Sequence, residues 1–152
     1  MTSGKAERSS DPAVQPTAEG SAQLVLVDGS NVAHSSEGDQ PVLANIVAVC
    51  DKLREEGYEP VVVVDAALRH QIDDHAGYER LVDGGTIRQA PAGTDADYFI
   101  LSFARELDAV VVSNDRFKDR LKAFPDAQER VIRYMIVNGE VVFERRTRKR
   151  RD

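Results

Sequence analysis

The sequence predicts an α/β layered domain with a largely parallel sheet, and three observations carry that prediction. Short apolar runs recur at LVLVD (24–28), VVVVD (61–65) and AVVVS (109–113), each with the length and composition of a strand buried on both faces. Segments with helical periodicity separate them, so strand and helix alternate along the chain. Near the end, VIRYMIV and EVVFE flank Asn138-Gly139, a pair that signals a tight hairpin.

Each element follows in order. Residues 1–21 are rich in Ser, Pro, Ala and Gly with almost nothing to bury, and read as a disordered leader. After the first strand, Pro41 opens a helix whose Val42, Leu43, Ile46, Val49, Cys50 and Leu53 share a face, ending at Gly57. A more polar helical stretch covers about 71–83 and closes at Gly84-Gly85, before a short strand TIRQ at 86–89. The next helix runs from about Asp95 to Leu107, with Ala96, Ile100, Phe103, Ala104 and Leu107 on one face. After the 109–113 strand, a short helix is expected from about Asp115 to Lys122. The domain therefore spans 22–144 and leaves a basic tail at 145–152.

Composition narrows the function. At 152 residues one domain is the default, and 41% apolar residues suffice for a modest core. Aromatics are only 6% and Trp is absent, which argues against a base-stacking platform. No run approaches the ~18 apolar residues of a membrane span, and no signal-peptide pattern opens the chain. Cys50 is the only cysteine, so an internal disulfide and a cysteine-based zinc finger are excluded, and its place on an apolar stripe makes it a core residue. A soluble, cytoplasmic setting is expected. The net charge of −6 conceals an asymmetry: the tail RRTRKRRD carries +5, so the first 144 residues sum to −11. An acidic body is not the profile of a plain nucleic-acid binder. It suits a protein that gathers carboxylates around a metal and attracts polyanions with its tail.

The acids fall where that requires. Asp28, Asp65 and Asp115 lie at or just beyond the ends of strand-like runs, and parallel strands present their carboxyl ends along one ligand-binding edge. Asp115 and Asp119 are spaced i, i+4 and would stack on one helical face, while Asp97 sits in the first turn of the preceding helix. Carboxylates so placed repel one another unless a cation joins them, and hard divalent ions such as Mg²⁺ or Mn²⁺ prefer such oxygens. Such sites suit phosphodiester chemistry. Each acid also has a purely structural reading: Asp28-Gly29 as a turn, Thr94-x-x-Asp97 as a capping box, Asn114 or Asp115 as an N-cap, Asp119 as a solvated residue. Those readings must be invoked one by one, whereas a single metal site covers every rim position. His34, His70 and His75 form no zinc spacing and read as surface residues. Arg116, Lys118, Arg120 and Lys122 alternate with the proposed ligands and suit phosphate contacts.

Three segments, LVLVDGSNVA (24–33), DADYFILSFARELDAVVVSNDRFKD (95–119) and RYMIVNGEVVF (133–143), resemble the NYN/PIN-like ribonucleases. The likeness is closest to the Regnase-type branch, with its D-G-S-N strand end and V-S-N-D segment. The resemblance implies a five-stranded, mostly parallel PIN-like sheet between helices, and Mg²⁺- or Mn²⁺-dependent hydrolysis of RNA to 5′-phosphate and 3′-hydroxyl ends. It places Asp28, Asp97, Asp115 and Asp119 on the family's acidic site, with Asn31 as a supporting polar group and Arg69 like a basic residue that meets RNA. Two departures stand out. The family's adjacent acidic pair at the helix start is here Asp95 and Asp97, with Ala96 between; residues two apart do not share a helix face, so Asp97 is the ligand and Asp95 a cap or outer support. The CCCH zinc finger is absent, and the basic tail stands in its place.

The sequence thus reads as a metal-dependent endoribonuclease domain acting on RNA, with no membrane partner. Asp28, Asp97, Asp115 and Asp119 would hold one or two ions. Asn31 and Ser30 would orient Asp28 or the phosphate, and Arg69, Arg116, Lys118, Arg145 and Arg146 would meet the RNA backbone. Two rivals share the pattern: a non-catalytic RNA-binding domain, and a metal-dependent phosphoesterase acting on DNA or nucleotides.

Overall fold

A computed structural model describes residues 22–36 and 38–144 of the chain. The leader, the tail and the candidate contacts Arg145 and Arg146 lie outside the described residues. In chain order the elements are β1 (Gln23–Asp28), α1 (Gly29–Ala33), α2 (Leu43–Glu55), β2 (Tyr58–Val64), α3 (Leu68–Gln71), α4 (His75–Asp83) and β3 (Ile87–Gln89). Then come α5 (Ala96–Leu107), β4 (Val110–Val112), a 3₁₀ turn at Lys118–Arg120, α6 (Ala127–Arg130), β5 (Val131–Ile132), β6 (Tyr134–Val137) and β7 (Glu140–Phe143).

Five strands form a parallel sheet in the order β3-β2-β1-β4-β5, and β6 and β7 form a separate antiparallel hairpin. The α/β class, the parallel sheet and the terminal hairpin are as the sequence predicts. Both faces of the sheet are covered, which is why its strands are apolar without alternation. On one face Val25, Val27, Val62, Val64 and Val112 pack with α2, Tyr78 and the hairpin's Tyr134 and Val141. On the other, Leu26, Val61, Val63 and Val111 pack with Ile100, Leu101 and Ala104 of α5, and with Phe117, Phe124 and Ala127. Cys50 is buried in the first of these layers, and burial pushes its thiol up to about 12, so it is an inert core residue.

Gly29 is needed for close approach: a Cβ there would lie 2.5 Å from the side chains of Val62 and Val64, so only glycine lets α1 start hard against β2. The Asn138-Gly139 turn has positive φ at both residues, 52° and 79°, as a tight hairpin of native twist requires.

Two expectations are corrected. The segment after β4 is not an α-helix: Phe117 takes a left-handed conformation (φ 53°) that sinks its ring into the core at 2% exposure, and only a short 3₁₀ turn follows. The i, i+4 argument stacking Asp115 on Asp119 therefore does not apply. VIRYMIV is also not one strand; it breaks at Arg133, with Val131–Ile132 completing the parallel sheet beside β4 and Tyr134–Val137 turning away into the hairpin. No helix among the described residues is long and apolar enough to cross a membrane.

Candidate functional site

The strand order reverses at β1: β2 and β3 lie to one side of it, β4 and β5 to the other. In open α/β sheets ligands bind at such a switch point, beyond the carboxyl ends of the strands, here those of β1 and β4. Asp28 ends β1, and Asp115 follows β4 by three residues. Asp97 enters from the first turn of α5. One carboxylate oxygen from each of Asp28, Asp97 and Asp115 lies within 4.8 Å of the others. This exposure is graded, with Asp97 half-buried and Asp115 exposed.

The electrostatic strain is visible in the carboxyl groups. Burial, with Asp97 and Asp115 adding repulsion, pushes Asp28 up to about 6, although a Ser113 hydrogen bond works against the shift. Asp97 is also raised, first by burial and then by Asp115 and Asp95, with Arg120 offsetting part of the effect. These all-oxygen donors suit a hard divalent ion. Oxygens on an octahedral Mg²⁺ stand about 3.0 Å apart when adjacent and about 4.2 Å apart when opposite, for bonds of about 2.1 Å, so the three oxygens, which lie within 4.8 Å of one another, would draw together on binding one ion.

The carboxylates are held by neighbours. Ser113 is fully buried; its hydroxyl donates to Asp28 Oδ2 (2.8 Å) and accepts from the Asp115 backbone N–H (3.0 Å), so one side chain fixes two of the three acids. The backbone N–H of Asn31 donates to Asp28 Oδ1 at 3.4 Å, and that of Phe117 to Asp115 Oδ1 at 2.8 Å. Ser113 lies inside the V-S-N-D segment, yet the sequence offers nothing to show that its hydroxyl faces Asp28.

The other site residues divide. Asp119 sits on the 3₁₀ turn outside the three-acid group and reaches Asp97 only through space, as a minor repulsion. Asp95 is the N-cap of α5, accepting from the backbone N–H groups of Asp97 and Tyr98. Asn31 Oδ1 accepts from the Asn114 backbone N–H (3.0 Å) and the Tyr134 hydroxyl (2.8 Å), tying the ends of β1 and β4 to the hairpin. Ser30 donates to Asp65 Oδ2 at 3.1 Å, and Arg69 is paired with Glu79 at 2.6 Å, so both are engaged within the protein. Arg116 and Lys118 are exposed near Asp115. Asp65, the third strand-end acid, is not in the group; its Oδ1 accepts the Leu68 N–H and secures the turn into α3.

Comparison with known proteins gives a family and a fold. The family model for the Zc3h12a-like ribonuclease NYN domain matches residues 21–152. No curated protein sequence matches the chain. Among solved structures, the crystal structure of nuclear proteinaceous RNase P 2 (PRORP2) from A. thaliana superposes with a TM-score of 0.69 at 22% identity, over 84% of this chain and 30% of that one. A second structure, Arabidopsis thaliana nuclear protein-only RNase P 2 (PRORP2), gives 0.65 at 24% identity, over 80% of this chain and 29% of the other. The chain thus spans less than a third of the length of these solved proteins, and at such identities the likeness concerns the fold.

Proposed function

Since the chain belongs to the Zc3h12a-like ribonuclease NYN domain family, we propose that it is a divalent-cation-dependent endoribonuclease that hydrolyses RNA phosphodiester bonds. The observation that carries the reading is the convergence of Asp28, Asp97 and Asp115 within 4.8 Å, at the sheet edge where the strand order reverses. Left alone, three carboxylates destabilise one another; an RNA phosphate would only add to the repulsion. A bound Mg²⁺ or Mn²⁺ would supply neutralisation of the phosphate and a lowered pKa for the attacking water.

The chain's own residues have distinct parts. Asp28, Asp97 and Asp115 hold the ion. Ser113 orients Asp28 and the Asp115 backbone together, so neither has to be ordered when the ion arrives. Asn31 maintains the wall between the β1 and β4 ends, a supporting part and not a chemical one. Asp119 adds negative charge at the margin and suits an outer, water-mediated contact. Arg116 and Lys118, exposed beside Asp115, give the RNA backbone cationic contacts, and Arg145 and Arg146 extend that role into the tail. Ser30 and Arg69 make smaller contributions, because Asp65 and Glu79 already engage them.

The test compares one single-stranded RNA, its DNA counterpart and a mononucleotide, each with Mn²⁺ and with EDTA. The reading expects internal cleavage of RNA with Mn²⁺ and none with EDTA. Binding of RNA without cleavage, or hydrolysis of DNA or nucleotide in preference to RNA, would overturn it.

A further inference from the structure

We propose that the Asp95–Arg120 ion pair is a latch that holds Asp97 and Asp115 at cation-binding distance, with Arg120 as a positioning residue. The inference rests on the reading of Asp28, Asp97 and Asp115 as a metal site, and it concerns how that site is kept assembled before an ion arrives.

Asp97 and Asp115 come from separate pieces of chain, the first turn of α5 and the irregular segment after β4. They repel: Asp115 is the largest of the charges that raise Asp97. Something must resist that repulsion on the open side of the site, where Ser113 does not reach α5. Asp95 does so with both its oxygens. Its Oδ1 accepts the backbone N–H of Asp97 at 3.0 Å, fixing the turn that carries the ligand. Its Oδ2 takes Nη2 of Arg120, whose backbone N–H donates to the Phe117 carbonyl at 3.0 Å, and the Phe117 N–H in turn donates to Asp115 Oδ1 at 2.8 Å, joining the pair to the segment that carries Asp115. The latch thus runs from the Asp97 backbone through one carboxylate and one guanidinium to the 3₁₀ turn. A second tether lies further along α5, where Tyr98 meets Phe124 edge-on at 4.9 Å and Arg105 stacks over the same ring at 4.6 Å.

Arg120 is a poor choice if stability were its purpose. Its Nε is buried without a hydrogen-bond partner, the only such side-chain atom among the described residues. An orphaned donor is unfavourable, and a partly exposed ion pair returns little. Three roles therefore predict three different outcomes when the guanidinium is removed. A stabilising role predicts a lowered melting temperature. A role as bulk positive charge predicts tighter cation binding, because a repulsive charge has gone. A latch predicts weaker cation binding at nearly unchanged stability.

The experiment is a calorimetric Mn²⁺ titration of the wild type, Arg120→Met, Arg120→Lys, Asp95→Asn and the double variant Asp95→Asn/Arg120→Met, with melting curves in EDTA. Asparagine caps a helix about as well as aspartate, so Asp95→Asn breaks the pair and keeps the cap. The latch predicts that Arg120→Met weakens Mn²⁺ binding about 10-fold, as loss of an orienting partner does, and that Arg120→Lys recovers part of this. It also predicts that the double variant binds no more weakly than the weaker single one, the non-additivity of a shared interaction. Unchanged or tighter binding by Arg120→Met, or additive losses, would overturn the latch. Asp115→Asn serves as the control. If it abolishes Mn²⁺ binding while Arg120→Met does not weaken it, the latch alone falls; if the wild type binds no Mn²⁺, the metal reading falls and takes the latch with it.

Discussion

The ends of β1 and β2 make a natural experiment. LVLVD and VVVVD lie in neighbouring parallel strands, offset by two residues so that Asp28 stands opposite Val63, and each delivers an aspartate to the same edge of the sheet. Their fates differ. Asp28, next to the switch point, meets Asp97 and Asp115 and is pushed up to about 6. Asp65, one strand further out, takes a hydrogen bond from Ser30 on one oxygen and the Leu68 N–H on the other. The same local sequence thus makes a strained group in one place and a satisfied turn in the other, and the difference lies in which elements cross above the strand end. Asp28 has the same two kinds of partner, the Ser113 hydroxyl and the Asn31 N–H, so what raises it is burial, with Asp97 and Asp115 adding repulsion, and that combination supports the proposed cation site.

Substitution of each acid by its amide sharpens the contrast. Asp28→Asn should lower the RNA cleavage rate roughly 100-fold or more, because a ligand and half of the Ser113 contact are lost. Asp65→Asn should leave the rate within about threefold of wild type once folding is matched. Equal losses in the two variants would erase the distinction drawn here.

Stability without metal should report the strain on Asp28. A carboxyl whose folded pKa is raised binds its proton more tightly in the folded state than in the unfolded one. Asp28 therefore costs nothing below about pH 4, and its ionisation destabilises the fold as pH rises through about 6. In EDTA the wild type should lose on the order of 2–3 kcal/mol over that window relative to Asp28→Asn, measured by urea denaturation at several pH values. Superimposable pH profiles for the two proteins would remove the strain from Asp28.

Divalent cation should then close most of that gap. At about 100 times its Kd, Mn²⁺ should stabilise the wild type and Asp65→Asn by about 2.7 kcal/mol, and Asp28→Asn by much less. The smallest effect is expected at the satisfied end. Ser30→Ala, which removes only the Asp65 contact, should cost about 1 kcal/mol in urea and leave the Mn²⁺ response intact.

The same contrast explains what the sequence conveyed. Strands, the amphipathic α2 and α5, and the Asn138-Gly139 hairpin were legible because their periodicities and turn chemistry are local. Asp28, Asp97 and Asp115 stood out because strand ends and a helix start in an α/β sheet share one edge. The segment after β4 departs from its helical spacing because burying Phe117 overrides the pattern of its charges and imposes a left-handed backbone there. The same spacing groups Asp119 with Asp115, whereas the 3₁₀ turn leaves Asp119 outside the three-acid group. The break at Arg133 depends on β5 pairing with β4, a contact between distant parts of the chain. The links from Ser113 to Asp28, Tyr134 to Asn31 and Arg120 to Asp95 join residues far apart in sequence and carry no local signature.

The most direct measurement is a crystal of the protein grown with Mn²⁺ and examined by anomalous diffraction at the manganese edge. The account predicts a peak bounded by the carboxylates of Asp28, Asp97 and Asp115, absent from crystals of Asp28→Asn. A peak at other residues, or none among these three, would contradict it.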